Sequence, residues 1–314
     1  MHPAYSVIFF TSATGAGYGL LALFGITAAF DLLPTDRDFA ITGAVVGYFL
    51  IVGGLLSSTF HLGRPERAWR ALTQWRSSWL SREGILAIAT FGPTGLFLFG
   101  WVVLGDSGGI YAFAGLIGAV LCGSTVHATS MIYRSLRSVR AWRNPWVTPG
   151  YFAWSLVTGA LLANALTHGF GVMLNFDLVA MAGLILAAVV KAGFWRSIDA
   201  QGGDSTPESA TGLGHLGAVR LLDPPHTGSN FLMAEMGYVV ARRHATKLRR
   251  IVYVAGLAVP FVLTVVAMLS TGLLPAVSAT LAVLPAAIGV LVERWLFFAE
   301  AKHTVMLYYG ATEV

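Results

Sequence analysis

The feature that most constrains this chain is a recurrence of apolar stretches, each about as long as a bilayer is thick, separated by polar turns. A helical run of ~20 apolar residues crosses the hydrocarbon because each residue rises ~1.5 Å. Length alone would allow two soluble domains, but the composition overrides that. Of the 314 residues 56% are hydrophobic and only 11% charged, against ~25% charged in ordinary soluble domains. The nine Trp also suit helix ends at headgroup level. The expected fold is all-α, an integral membrane bundle of eight transmembrane helices in one domain, 1–314.

The spans are read at 6–30, 39–63, 84–104, 110–133, 148–170, 177–195, 251–271 and 274–292, with Pro93 as a tolerated kink. With the N-terminus inside, every Lys and Arg except Arg37 falls on cytoplasmic segments or their helix ends. The positive-inside rule then places both termini in the cytoplasm. A long cytoplasmic loop, 196–250, joins spans six and seven. Its first part (199–217, rich in Gly, Ser and Thr) reads as mobile, and its second part (229–250) as a capped amphipathic helix. The start, Met1-His2-Pro3, lacks the basic stretch of a cleavable signal peptide.

Gly15/Gly19 and Gly43/Gly47 share the four-residue spacing that lets helix backbones approach. A nucleotide-binding glycine loop fits poorly, since these glycines sit inside apolar helices with no strand before them. The single cysteine, Cys122, cannot form an intrachain disulfide or hold a four-cysteine cluster, and no haem-attachment motif is present. Any iron–sulfur cluster must belong to a partner.

The most informative segment is His61-Leu-Gly-Arg-Pro-Glu-Arg-Ala-Trp through Leu80-Ser-Arg-Glu-Gly84. Pro65 suits a helix start. Trp69, Leu72, Trp75 and Trp79 recur at near-helical spacing, with Arg67, Arg70 and Gln74 elsewhere on the wheel. The pattern predicts an interfacial helix over 64–82. It brings an imidazole, guanidinium groups and a carboxylate to the cytoplasmic boundary, walled by tryptophan.

A quinone site needs such a mixture. The ring and tail require an apolar slot, the ring oxygens require hydrogen-bond donors, and reduction takes up protons through a group titrating near neutrality. The candidate residues are His61 as hydrogen-bond and proton partner, Glu83 as relay and Arg64 at the polar edge. Trp69, Trp79 and Ser81 complete the expected lining. The plain alternative is that Arg and Trp serve as membrane anchors and His61 as a solvated cap.

The motifs His61-Leu-Gly-Arg-Pro and Leu80-Ser-Arg-Glu resemble those of the DMSO reductase anchor-subunit family. The opening His2-Pro-Ala-Tyr-Ser-Val-Ile-Phe-Phe-Thr and Gly15-Ala-Gly-Tyr-Gly19 resemble its branch of sulfite-oxidising complexes. The resemblance implies a cluster-free subunit that anchors a molybdopterin catalytic subunit and a four-cluster ferredoxin-like iron–sulfur subunit and exchanges electrons with ubiquinone or menaquinone. It implies His61 and Glu83 as quinone-site residues, and no haem. The cytoplasmic position of the motif-bearing face favours the sulfite-oxidising branch, in the bacterial inner membrane.

Two readings stand for the basic loop carrying Arg134, Arg137, Arg140 and Arg143, and for the stretch from Arg242 to Arg250. One is docking to an acidic iron–sulfur subunit. The other is topology plus attraction to anionic lipid. The segment Leu222-Asp-Pro-Pro-His-Thr-Gly-Ser-Asn-Phe reads as a partner contact. A haem would need two facing histidines, such as His127 and His61. His168 lies at the far end of span five, and His215, His226, His244 and His303 lack metal-ligand spacing. A secondary transporter is the rival from another class; its spans would carry ionisable groups near midplane, whereas here charges gather on one face.

Overall fold

The computed structural model describes residues 4–59, 62, 64–200, 205–223, 225–228, 230–236 and 244–314. These residues form helices and turns and no strand. Seven helices are long and apolar enough to cross a membrane: α1 (Tyr5–Ala29), α2 (Arg37–Ser57), α3 (Trp79–Leu104), α4 (Gly109–Arg134), α6 (Asp177–Asp199), α7 (Ala245–Leu269) and α8 (Leu274–Ala299). This is a multi-pass membrane protein. Between α4 and α6 runs an eighth long helix, α5 (Val147–Phe170). It is less apolar and carries Asn164 and Thr167, both buried in the bundle. The Asn164 amide donates to Asp177 of α6 at 2.7 Å, and His168 Nε2 stands 3.1 Å from the same carboxylate.

Local chemistry sets the helix ends. Asp36 caps α2 by accepting from the Phe39 amide at 2.7 Å, and the Ser78 hydroxyl caps α3. The last turns of α3, Phe99–Leu104, and an early part of α7, Val252–Ala258, are wound as π-helix. Pro260 follows the latter and withholds one backbone donor from the turn before it, which the wider winding accommodates.

Glycines decide which helices meet. A Cβ on Gly19 of α1 would collide with the Ser155 carbonyl of α5, and one on Gly159 of α5 with the backbone at Gly19. Gly25 of α1 and Gly115 of α4 make a second such crossing. Lipid tails are as apolar as leucine, so close backbone packing drives association here. Of the four glycines marked in the sequence, Gly19, Gly43 and Gly47 pack against neighbouring helices. Gly15 has open space, and its carbonyl accepts from the Ser155 hydroxyl at 2.7 Å.

Aromatic clusters close both ends of the bundle. At one end Phe24, Phe39 and Trp101 meet edge to face at 5.3–5.6 Å. At the other Tyr133, Trp142, Tyr151, Phe297 and Phe298 interlock, and the Trp142 indole donates to the Phe297 carbonyl at 2.8 Å. That bond and one from Asn144 to Ser197, at 2.9 Å, tie down the basic α4–α5 loop.

Several expected boundaries move. The interfacial helix is a 3₁₀ helix over Pro65–Gln74 only, and α3 begins at Trp79, so Glu83 lies within the span. Helix α8 runs on to Ala299, carrying Glu293 and Arg294 inside the bundle rather than beyond it. The stretch read as mobile holds a capped helix, Pro207–Thr211. Of the expected helix over 229–250, the described parts are Phe231–Met236 and the start of α7; 237–243, with Arg242 and Arg243, lie outside the described residues. In the 222–231 segment, His226 stacks on Tyr309 at 6.0 Å and the Asn230 amide donates to the Tyr309 hydroxyl at 3.1 Å. This part of the loop therefore packs on the chain's own C-terminal tail.

Candidate functional site

The 3₁₀ helix lies across the ends of α1, α2, α3 and α4 and roofs a cavity of about 520 Å³. That volume falls within the ~300–1,000 Å³ of small-molecule sites. Its walls are mainly apolar, from Val7 and Phe10 of α1, Leu55 of α2 and Ile132 of α4. Three charged side chains face it: Arg64, Arg67 and Glu83. The cavity is not closed, and Leu80, which lines it, is itself exposed.

Glu83 is held in place. It is 4% exposed, and the Thr129 hydroxyl of α4 hydrogen-bonds its Oε1. A carboxylate this deep is costly unless it is paired or hydrogen-bonded, and a single hydroxyl is modest compensation. Tyr133, one turn further along α4, also lines the cavity.

The structure brings only some of the expected residues together. Arg64 and Glu83 share the cavity, and Leu62 lines it beside them, but His61 lies outside the described residues. Ser81 is buried away from the cavity. Its hydroxyl donates to the Ala71 carbonyl and so latches the first turn of α3 to the 3₁₀ helix. Trp69 is 61% exposed and does not line the cavity. The inward face of the 3₁₀ helix belongs to Ala68 and Ala71, whose small side chains leave the space open, while the indole faces outward where interfacial tryptophan is at home. Trp79 turns to a separate groove of about 660 Å³, which it lines with Trp75, Arg82 and His127. There Arg82 lies 4.4 Å above its ring and His127 meets it edge on at 5.7 Å.

Sequence reading missed a buried polar network between α6 and α8. Lys191 of α6 is 2.6 Å from Glu293 of α8, and Arg294 is 3.2 Å from the other oxygen of that carboxylate. All three are almost wholly buried. Arg294 also lies 3.8 Å over the ring of Tyr151, which stacks on Tyr133. The signal was available in the Glu293-Arg294 pair, had span eight been drawn through to Ala299.

The family model for the DMSO reductase anchor subunit (DmsC) matches residues 1–199, which includes the whole cavity. The chain belongs to the DMSO reductase anchor subunit family. This anchor is 31% identical to a sulfite dehydrogenase subunit of Allochromatium vinosum, over 98% of this chain and 99% of that one. It is 26% identical to the anaerobic dimethyl sulfoxide reductase chain YnfH of Escherichia coli, over 59% of this chain and 66% of that one. The match to a DMSO reductase-type anchor agrees with the helical membrane bundle. It makes this protein a membrane anchor subunit that associates with catalytic oxidoreductase subunits.

Proposed function

We propose that this anchor is the quinone-reactive subunit of a molybdopterin and iron–sulfur oxidoreductase, passing electrons from sulfite oxidation into ubiquinone or menaquinone. The observation that carries the reading is the apolar cavity into which Arg64, Arg67 and Glu83 converge. Its walls suit an apolar ring and tail, the guanidinium groups supply donors for ring oxygens, and the carboxyl supplies a proton carrier. When bound, quinone supplies the couple that takes up two electrons and two protons. Arg64 and Arg67 orient its polar edge, Glu83 holds and transfers a proton at its carboxyl, and Thr129 keeps that carboxyl turned to the wall. His61, one residue before the lining Leu62, is the second proton partner.

Near full-length similarity to a sulfite dehydrogenase subunit supports sulfite as the electron source. A weaker similarity to a dimethyl sulfoxide reductase chain supports the reverse flow, quinol oxidation, as the second reading. The partners are a four-cluster ferredoxin-like subunit and a molybdopterin catalytic subunit on the cytoplasmic face of a bacterial inner membrane. Helix α5 serves as the eighth span, since its polar residues turn into the bundle. With eight spans both termini are cytoplasmic, on the side holding all basic residues but Arg37.

The test compares sulfite-dependent reduction of quinone with that of a soluble dye in membranes carrying the whole complex. Glu83→Gln and His61→Ala should each slow quinone reduction by ~10²-fold or more, as for loss of a general acid, with dye reduction reporting intact assembly. Quinone reduction at the wild-type rate in Glu83→Gln would overturn the proposal.

A further inference from the structure

The groove that holds Trp79 has a polar end and an apolar end, and the quinone reading uses neither. At the membrane boundary stand Trp75, Trp79 and Arg82. Beyond them Ile85 and Leu86 of α3, Val120 and Gly123 of α4 and Phe152 of α5 form an apolar slot. Ile85, Val120 and Phe152 are exposed, so the slot opens sideways to the hydrocarbon. From His127 to Val120 it follows α4 for ~10 Å at helical rise, against ~15 Å for the hydrocarbon of one leaflet. The polar end is rich in donors. The Arg82 guanidinium donates to the Trp75 and Arg76 carbonyls at 2.9 and 2.7 Å, and the Arg76 guanidinium stands 4.8 Å over the Trp75 ring. Among the described residues neither arginine pairs with a carboxylate, and no acid lines the groove. The indole N–H groups of Trp75 and Trp79 and the ring nitrogens of His127 likewise find no hydrogen-bond partner there.

We propose that this groove binds one anionic phospholipid from the leaflet on the side of the 3₁₀ helix, with its phosphate at Arg76 and Arg82 and an acyl chain in the slot beside Gly123. Two guanidinium groups without a countercharge select an anion, and their planar forks match phosphate oxygens. Basic pockets between helices at a membrane boundary recognise lipid headgroups in this way. A zwitterionic headgroup brings an ammonium to the two arginines with no acid to receive it. A quinone, being neutral, leaves both charges unanswered. Below the phosphate, the Trp79 indole and the His127 imidazole supply donors for the ester carbonyls, and His127 is steadied edge on against Trp79 at 5.7 Å and by Phe152 at 6.5 Å. Gly123 gives the slot its room. Gly115, on the same helix, is small because the Gly25 backbone lies against it, whereas a Cβ on Gly123 would meet only the Phe152 ring, at 3.7 Å. Helix packing therefore does not require a glycine at 123, and the missing side chain leaves space for a chain from the bilayer. Because Arg82 also fastens the residues that follow the 3₁₀ helix, a phosphate on it steadies the roof of the neighbouring cavity. The inference needs only the anchor in its membrane and stands apart from the quinone reading.

The test uses the complete complex in vesicles of phosphatidylethanolamine doped with phosphatidylglycerol that carries a photoreactive acyl chain. Mass spectrometry should map cross-links to the segments around Ile85, Val120 and Gly123. Unlabelled phosphatidylglycerol should compete for this labelling several-fold better than added phosphatidylethanolamine. Gly123→Leu, which fills the slot, should lower the labelling several-fold, and Arg76→Gln should remove the preference for the anionic lipid, with labelling elsewhere on the anchor reporting an intact bundle. Equal competition by the two lipids would mean ordinary bilayer contact and overturn the proposal, as would undiminished labelling in Gly123→Leu. Displacement of the probe by a soluble short-tail quinone, but not by phosphatidylglycerol, would overturn it too and make the groove a quinone site. If the leucine variant does not accumulate, the lipid competition on the unaltered complex decides.

Discussion

Thr129 of α4 places its hydroxyl against the Glu83 carboxylate of α3, joining the two helices at the one buried acid among the described residues that lines the cavity under the 3₁₀ helix. The same hydroxyl is 3.0 Å from the Thr125 carbonyl of its own helix. A hydroxyl has one proton to give, so it can serve only one of these two oxygens at a time. Among the described residues no ion pair fixes Glu83, an arrangement suited to the proton-carrying role proposed for it.

Arg64 and Arg67 enter the cavity from the 3₁₀ helix and its N-terminal cap, not from a span. Arg64→Ala should weaken quinone binding more than turnover, raising KM several-fold at near-constant kcat, because a positioning donor acts in the ground state and transition state alike. Steady-state kinetics with a soluble short-tail quinone measure this split, and a fall in kcat alone would speak against a positioning role.

Removing the carboxylate from the buried cluster should be severe. Glu293→Ala leaves Lys191 and Arg294 facing one another without their shared anion. Breaking a buried pair in this way costs about 3–5 kcal/mol. The expected outcome is a markedly lower midpoint of thermal unfolding in mild detergent.

Backbone crossings make a sharp contrast among glycines. Gly25→Val drives a branched side chain into the Gly115 backbone, whereas Gly53→Ala adds a methyl group in open space. The first should abolish accumulation of the anchor in membranes and the second should leave it within a small margin of wild type. Quantitative blotting of membrane fractions checks both.

Outside the membrane, the Glu208 carboxylate accepts from the Val219 amide at 2.8 Å and bridges the two ends of the 206–219 loop. That backbone hydrogen bond holds its pKa below the usual glutamate value. A depressed carboxyl stabilises the fold at pH above its unfolded value, and the benefit is lost as pH falls through the folded value. Val219 amide protection, corrected for intrinsic exchange, should therefore decline on acidification. Glu208→Gln should flatten that decline.

Apolar run length and the one-sided placement of Lys and Arg were readable directly from the residues, because hydrocarbon thickness and membrane insertion act on each segment separately. So was the pairing of Arg64 with Glu83 at one boundary, since the interfacial stretch between them keeps the chain at the same membrane face. Helix packing was less so. The sequence marks Gly15 and Gly19 alike, yet only Gly19 meets another backbone, because the partner helix α5 crosses at one level. Trp69 and Trp79 carry the same chemistry as an aromatic wall, but the rotation of each element sends them to other surfaces.

Thus local hydropathy and charge already specified a multi-pass helical protein with a charged boundary segment near residues 61–84. Which side chains share a cavity depended on how α1, α3, α4, α5 and α8 cross, and no single segment encodes that. Lys191 and Glu293 are 102 positions apart and touch at 2.6 Å. Such a contact exists only once the helices between them have packed, which is why a network of buried polar groups escapes any reading taken one span at a time.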